Sequence, residues 1–276
     1  MGAGFGVVCA MAVAKGVQSY ITITTSKPKA PSRNHHRDYL RASEIERVNT
    51  FKPSVPVFMC TWKRPHLFQM TLRQLENQQG VNVRFHVWNN NVAIADELDH
   101  ALKQERGGLA PMVIHSDRNE GSIARFHMAR AHANGDAYVV FIDDDQEFGT
   151  DFLRRLWDER SPGGATASYA RRIVKGKGYW QRDKLKPGDR ANYCGPGGMI
   201  VATSCLHVDE LIRIPPPYTA FDDLWFSYVM DHVLRAPMKK SSASVRMIDP
   251  ANDTSIYRKD EKAAFLEYLR ARGWDV

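Results

Sequence analysis

The stretch Gly135-Asp136-Ala137-Tyr138-Val139-Val140-Phe141-Ile142-Asp143-Asp144-Asp145 decides the fold. Its middle is a continuous apolar run of the kind buried on both faces of a parallel sheet, and the run breaks off into three carboxylates. Residues 122–134, just before it, carry Ile123, Phe126, Ala129, Arg130 and Ala133 on one largely apolar helical face, and Gly135 stops the helix. A helix feeding a buried strand implies an α/β fold, whose ligands bind outside the carboxyl ends of the strands. Three adjacent like charges raise one another's pKa and oppose folding unless a cation neutralises them. Mg²⁺ or Mn²⁺ is the natural partner, because hard cations take one or two carboxylates together with substrate phosphates. The competing reading is an acidic helix N-terminus, where Asp caps the helix and complements its dipole.

The pattern extends in both directions. Residues 55–60 read as a buried strand, and 67–79 as a helix with Leu67, Met70, Leu72 and Leu75 at near-helical spacing. Residues 81–88 alternate with period two and stop at the turn-forming Asn89-Asn90-Asn91, while 111–115 form a third short strand. Downstream, a helix is expected over 150–159, strands over 165–174 and 199–202, a helix over 221–234, a strand over 244–248 and a last helix over 259–272. Residues 1–50 read as an N-terminal extension with a Pro- and charge-rich linker, and 51–250 as one catalytic domain. Within it, 51–150 form the nucleotide-binding half and 151–250 the acceptor half, followed by a C-terminal helical segment, 251–276.

The composition is that of a soluble globular protein: 276 residues, 43% hydrophobic and 25% charged. The formal charge of +7 suits an anionic ligand, but the excess reads as spread along the chain and names no partner. Cys9, Cys60, Cys194 and Cys205 show neither C-x-x-C nor zinc spacing, so buried free thiols are expected. The longest apolar run, residues 2–14, ends at Lys15, too short to span a membrane. Ala12-Val13-Ala14 mimics a signal-peptide cleavage site, but no Lys or Arg precedes the run, which argues against export.

The stretch around Asp143-Asp144-Asp145 resembles the strand and D-x-D motif of GT-A fold glycosyltransferases, especially the inverting family 2. Thr61-Trp62-Lys63-Arg64-Pro65 with the following helix and Gln78-Gln79 is similar to that family's first strand-loop-helix. Asn119-Glu120-Gly121-Ser122-Ile123-Ala124-Arg125 resembles its N-x-G-x-x-x-R segment. Gly197-Gly198-Met199-Ile200 resembles its acceptor-side strand, and Phe221-Asp222-Asp223-Leu224 its acidic acceptor motif.

The resemblance implies a Rossmann-like, mostly parallel central sheet flanked by helices in a single catalytic domain. It implies Asp145 and Asp143 as metal ligands, with Asp143 also near the ribose and Asp144 spare or donor-binding. Thr61, Arg64 and Arg125 would line the donor, and Asp223, with Asp222 as understudy, would be the general base. Asn89 departs from the family's Asp at the position that reads uracil, which weakens the case for UDP. The implied cofactor is Mn²⁺ or Mg²⁺, and the donor a nucleoside-diphosphate sugar, UDP-sugar foremost. The acceptor would be a hydroxyl on a glycan, a lipid-linked sugar or a protein.

Trp180 and Tyr179 could form an aromatic platform for a sugar ring, or belong to the core. The loop 249–254 is placed as a lid, with Arg246 or Arg258 near the diphosphate. A haloacid-dehalogenase-like phosphatase, a sugar nucleotidyltransferase and a basic carbohydrate- or nucleic-acid-binding protein are the alternatives. No nucleic-acid partner is expected, because phosphate-binding patches avoid acidic clusters. A cytoplasmic location with peripheral contact to an anionic membrane is expected.

Overall fold

Val57, Met59, Val140 and Ile142 fill one face of a central sheet while Phe58, Val139 and Phe141 fill the other. With both faces covered, the runs that carry them are unbroken rather than alternating. The computed structural model describes residues 7–9, 22–24, 52–104, 107–248 and 258–276. Two units divide the chain, Met1–Thr50 and Phe51–Val276. In the first, β1 (Val7–Cys9) pairs antiparallel with β2 (Thr22–Thr24). The rest of the apolar N-terminal run, the Pro-rich linker and the loop 249–254 lie outside the described residues.

The second unit begins with β3 (Ser54–Thr61), α1 (Pro65–Glu76), β4 (Asn82–Asn89), α2 (Ala95–Gln104), β5 (Met112–His115), α3 (Ala124–His132) and β6 (Tyr138–Asp143). It continues through β7 (Gln146–Phe148), α4 (Phe152–Asp158), β8 (Ala165–Ala167), β9 (Ala170–Ile173), β10 (Arg182–Lys184), β11 (Arg190–Ala191), β12 (Tyr193–Cys194) and β13 (Met199–Ala202). It closes with α5 (Asp222–Tyr228), β14 (Met238–Lys240), β15 (Val245–Met247) and α6 (Lys259–Ala271).

The central sheet has eight strands in the order β11-β14-β8-β13-β6-β3-β4-β5. Strands β6, β3, β4 and β5 run parallel, and β13 is antiparallel to both its neighbours. The chain runs outward from β3 through β4 to β5 and then crosses back to β6 on the other side of β3, so the strand order reverses there and a cleft opens at the carboxyl ends. Thr61 and Asp143 are the last residues of those two strands. Residues of α1, α2 and α4 pack on one face of the sheet, and those of α3, α5 and α6 on the other. A separate sheet, β10-β9-β12, belongs to the second half. Among the described residues no helix is long and apolar enough to cross a membrane.

Several expectations shift. The buried face of α1 is Phe68, Thr71, Leu72 and Leu75. Phe68, Leu72 and Leu75 hold the i, i+4, i+7 stripe, from which Leu67 and Met70 are turned aside. Helix α2, unforeseen, buries Leu98 among charged neighbours. The expected strand 165–174 is two strands in different sheets, broken after Ala167 where the backbone crosses from β8 to β9. The helix expected over 221–234 is α5 followed by a π-helical turn, Val229–Val233. Gln74 on α1 and Gln78, two residues past its end, bind the backbone of Gln146, Phe148, Gly149 and Leu153. That pair of amides fixes the segment after the three aspartates. Cys60, Cys194 and Cys205 are free and buried, and burial pushes the Cys60 and Cys194 thiols up to about 12.

His86, 8% exposed on β4, stacks on Phe58 with ring centroids 4.6 Å apart, and neither ring nitrogen has a hydrogen-bond partner. Burial, with help from Arg84 and His132, lowers its pKa to about 4. The unfolded chain takes up this proton near pH 6.5, while the folded chain refuses it until about 4. Its contribution to stability is therefore full above pH 6.5 and is lost as the pH falls through that window. Urea unfolding of His86→Phe between pH 7.5 and pH 4.5 should show a decline smaller than that of the wild type by about 1–3 kcal/mol. An unchanged decline would show that His86 does not refuse the proton.

Candidate active site

The loop after β3 and the turn after β6 meet through Asp144. Its Oδ2 accepts from Thr61 Oγ1 at 2.9 Å and its Oδ1 from Arg64 Nη1 at 3.0 Å. Arg64 Nη1 also lies 3.2 Å from Asp145 Oδ2. Behind them, Arg125 on α3 is 6% exposed, donates from Nη1 to Asp143 Oδ1 at 2.6 Å, and places Nε 3.6 Å from Asp222 Oδ2. Burial opposes its charge, but Asp143 and Asp222 outweigh burial and raise its pKa.

The three aspartates are not a helix cap. They lead into β7, and α4 starts only at Phe152. Part of their neutralisation comes from Arg64 and Arg125, which the sequence reading left to a metal. Even so, four carboxylates (Asp143, Asp144, Asp145, Asp222) face two guanidiniums, a deficit of two positive charges. Burial first, and then Asp143, pushes Asp145 up to about 7. Burial also raises Asp144, against Arg64 and Thr61. Among the described residues no three His, Cys, Asp or Glu side chains form a metal site on their own. The charge deficit suits a divalent cation held by one or two carboxylates that completes its shell from phosphate oxygens. The Asp143 side chain is 33% exposed, Asp145 7%.

Gly197 is required beside Asp143. A Cβ there would lie 2.0 Å from Asp143 Oδ2 and 2.4 Å from Gln146 Nε2. The motif Gly197-Gly198 thus leaves space for the Asp143 carboxylate.

The three asparagines after β4 are structural ties. Asn89, fully enclosed, contacts His115 Nδ1 at 3.0 Å and accepts from the Asn91 amide at 2.9 Å. Asn90 accepts from the Glu120 amide and donates to the Gly121 carbonyl, fastening the segment that delivers Arg125. Asn91 donates to the Trp62 carbonyl. Asn89 is therefore enclosed, with its amide oxygen and nitrogen both engaged within the protein.

Asp222 and Asp223 are the first two residues of α5, whose N-cap is Phe221, a residue with no side-chain capping hydrogen bond. Asp222 is buried, which raises its pKa against the pull of Arg125, and its Oδ2 has no hydrogen-bond partner. Asp223 is the opposite case. It accepts from Tyr193 Oη at 2.5 Å, Lys262 Nζ at 3.0 Å and the Leu224 amide at 2.8 Å. Burial would raise it, but Lys262 and these hydrogen bonds hold it below the usual carboxylate range. Lys262 and Tyr193 escaped the sequence reading, although Lys262 sits one position before Ala263 on the apolar face of α6; Tyr179, read there as a sugar platform or as core, is buried. Arg246 pairs with Glu147 and Arg258 with Glu261.

The sequence model of Glycosyl transferase family 2 matches residues 57–206, more than half of the chain. The chain belongs to glycosyltransferase family 2. It has the GT-A fold. Among solved structures it is similar to a mannosyltransferase from Pyrobaculum calidifontis in complex with GDP-Man and Mn²⁺, at 15% identity and a TM-score of 0.59, covering 85% of this chain and 71% of that one. It also matches S. aureus TarS at 18% identity and a TM-score of 0.45, and residues 1–349 of TarS with UDP-GlcNAc at 18% and 0.48. The chain spans 36% of TarS and 57% of that shorter form. No curated protein matches the sequence.

Removing Arg125 would leave Asp143 and Asp222 without their shared countercharge. Arg125→Met should lower the unfolding free energy by about 3–5 kcal/mol in urea, and adding Asp143→Asn should recover part of the loss. A loss under about 1 kcal/mol would show that the guanidinium does not balance the cluster.

Proposed function

We propose that this protein is a metal-dependent, inverting glycosyltransferase. It moves a sugar from a nucleoside-diphosphate sugar, UDP-sugar foremost, to an acceptor hydroxyl on a glycan, a lipid-linked sugar or a protein. The observation that carries the reading is the excess of buried carboxylate at the carboxyl ends of β3 and β6, where an open α/β sheet binds ligands. Residues 51–150 would hold the donor and 151–250 the acceptor. The enzyme would work in the cytoplasm, where nucleotide sugars are metabolites.

Asp145 and Asp143 would hold Mn²⁺ or Mg²⁺, and when bound the ion supplies Lewis-acid stabilisation to the leaving diphosphate. Arg64 lies beside both Asp144 and Asp145, so its guanidinium orients the diphosphate end of the donor while Thr61 holds the Asp144 carboxylate in place. Asp223 takes the proton of the acceptor hydroxyl. The oxygen's electron pair forms the new bond to the anomeric carbon as the bond from that carbon to the phosphate oxygen breaks, and its pair leaves with the nucleoside diphosphate. One displacement inverts the configuration. Lys262 and Tyr193 keep Asp223 ionised and oriented for this role.

A second assignment of the base, to Asp222, is favoured by its Oδ2, which has no hydrogen bond among the described residues, and by its raised pKa. A GDP-sugar is the second donor, since Asn89 is occupied and a neighbour of the same fold was solved with GDP-Man.

The test is product configuration by NMR together with the pH profile of kcat. Asp223→Asn should lower kcat by about 10²–10⁴-fold with little change in donor KM. With Asp223 as base, the acid limb of the wild-type profile lies below about pH 4, the ordinary carboxylate value. An acid limb above it, with the larger loss in Asp222→Asn, would move the base to Asp222. A retained anomer would overturn the single-displacement reading.

A further inference from the structure

The +7 charge, read above as spread along the chain, is uneven, and its densest stretch lies in the folded second half. Residues 169–190 hold eight Lys and Arg against two Asp, an excess of six out of seven. This segment folds into β9 and β10 of the small sheet, with β12 on the other side of β9. The register sets Tyr193, Arg171 and Lys184 opposite one another across the three strands, so the three lie on one face.

The same face leads to Asp223. Arg182 donates to Tyr179 Oη at 3.0 Å, Tyr179 donates to Tyr193 Oη at 3.1 Å, and Tyr193 donates to Asp223. The Arg182 guanidinium lies 4.2 Å from the Tyr179 ring, 5.0 Å from Tyr193, 5.5 Å from Trp180 and 5.8 Å from Tyr169. Trp180 is 48% exposed and Tyr169 38%. Lys259 lies 5.8 Å above the Trp180 ring. A structural role explains the enclosed Tyr179 and Tyr193, but not an exposed tryptophan and tyrosine around the Arg182 guanidinium, which forms no ion pair with a carboxylate among the described residues.

We infer that this face, built on Arg171, Arg182, Lys184, Trp180 and Tyr169, is the acceptor subsite and that it takes an anionic saccharide bearing phosphodiester or carboxylate groups. The inference rests on Asp223 marking the acceptor side, as proposed above. An exposed ring stacks on a sugar face, and the flanking cations meet its acidic substituents. Continuity with Asp223 favours an acceptor over a lipid surface, because a hydroxyl of a saccharide lying along Trp180 is led toward the base.

The test is binding by calorimetry and tryptophan fluorescence at two salt concentrations. The probes are an oligogalacturonate, a glycerol-phosphate oligomer, neutral maltoheptaose and phosphatidylglycerol vesicles. At least one of the two anionic oligomers should bind about tenfold or more tightly than maltoheptaose and weaken with salt, and which one binds names the acidic group. Arg171→Gln with Lys184→Gln should weaken that binding about tenfold, as should Trp180→Ala. Lys184→Glu, at an exposed position, tests the same point should the double variant fold poorly. Equal affinity for maltoheptaose, binding to the vesicles alone, or no binding of any probe by folded protein would overturn the inference. Nucleotide binding by the same wild-type preparation tells these failures from failure of the transferase reading, because the donor site does not include this face.

Discussion

Arg125 is the interaction on which the site depends. It lies on α3, reaches Asp143 at the end of β6 and Asp222 at the start of α5, and so binds β6 to α5 through one buried guanidinium. A buried ion pair contributes little net stability, but a buried carboxylate that has lost its partner is costly. The elements around Arg125 are therefore constrained together. Asn90, which fastens residues 120 and 121, the positive φ of +74° at Gly121 and the bare Gly197 beside Asp143 all serve to let that pairing form. Arg64 does the same at the front of the cleft, tying the β3 loop to Asp144 and Asp145.

Two carboxylates adjacent in sequence are held in opposite electrostatic states. Asp222 faces Arg125 through an oxygen that has an ion-pair contact but no hydrogen bond among the described residues, while Asp223 turns to Lys262 and Tyr193. Successive residues at a helix start point roughly 100° apart, so one dipeptide serves both sides of the cleft. Lys262 comes from α6, so the last helix of the chain contributes directly to the environment of a candidate base. The tyrosine pair carries that environment outward to the small sheet.

The parallel core was legible because local pattern and tertiary burial agree there. The run before Asp143 is apolar on both faces and has only one stable setting, and the Asp222-Asp223 pair and Gly197-Gly198 stand out as motifs. The pairing of charges was not legible. Asp143 and Arg125 are 18 residues apart, Arg64 and Asp144 80 apart, and only the folded sheet brings them together. Lys262 was hidden because a single lysine on an amphipathic helix looks like any solvated one. Helix α2 was missed because Leu98 is its one buried side chain, too little for a periodic signal. The concentration of charge in residues 169–190 could be counted from the sequence, but its meaning depends on the register that places Arg171 and Lys184 beside Tyr193.

An excess of two carboxylates over guanidiniums in a cleft at the strand ends forms the physical basis of the functional reading. The most direct measurement is calorimetric titration of UDP and GDP, with and without Mn²⁺, into wild type and Asp145→Asn. Binding of one nucleotide that requires Mn²⁺ and is lost in Asp145→Asn is the expected result. Equal binding with and without Mn²⁺, or no binding by a folded wild-type protein, would contradict a metal-diphosphate site at these carboxylates.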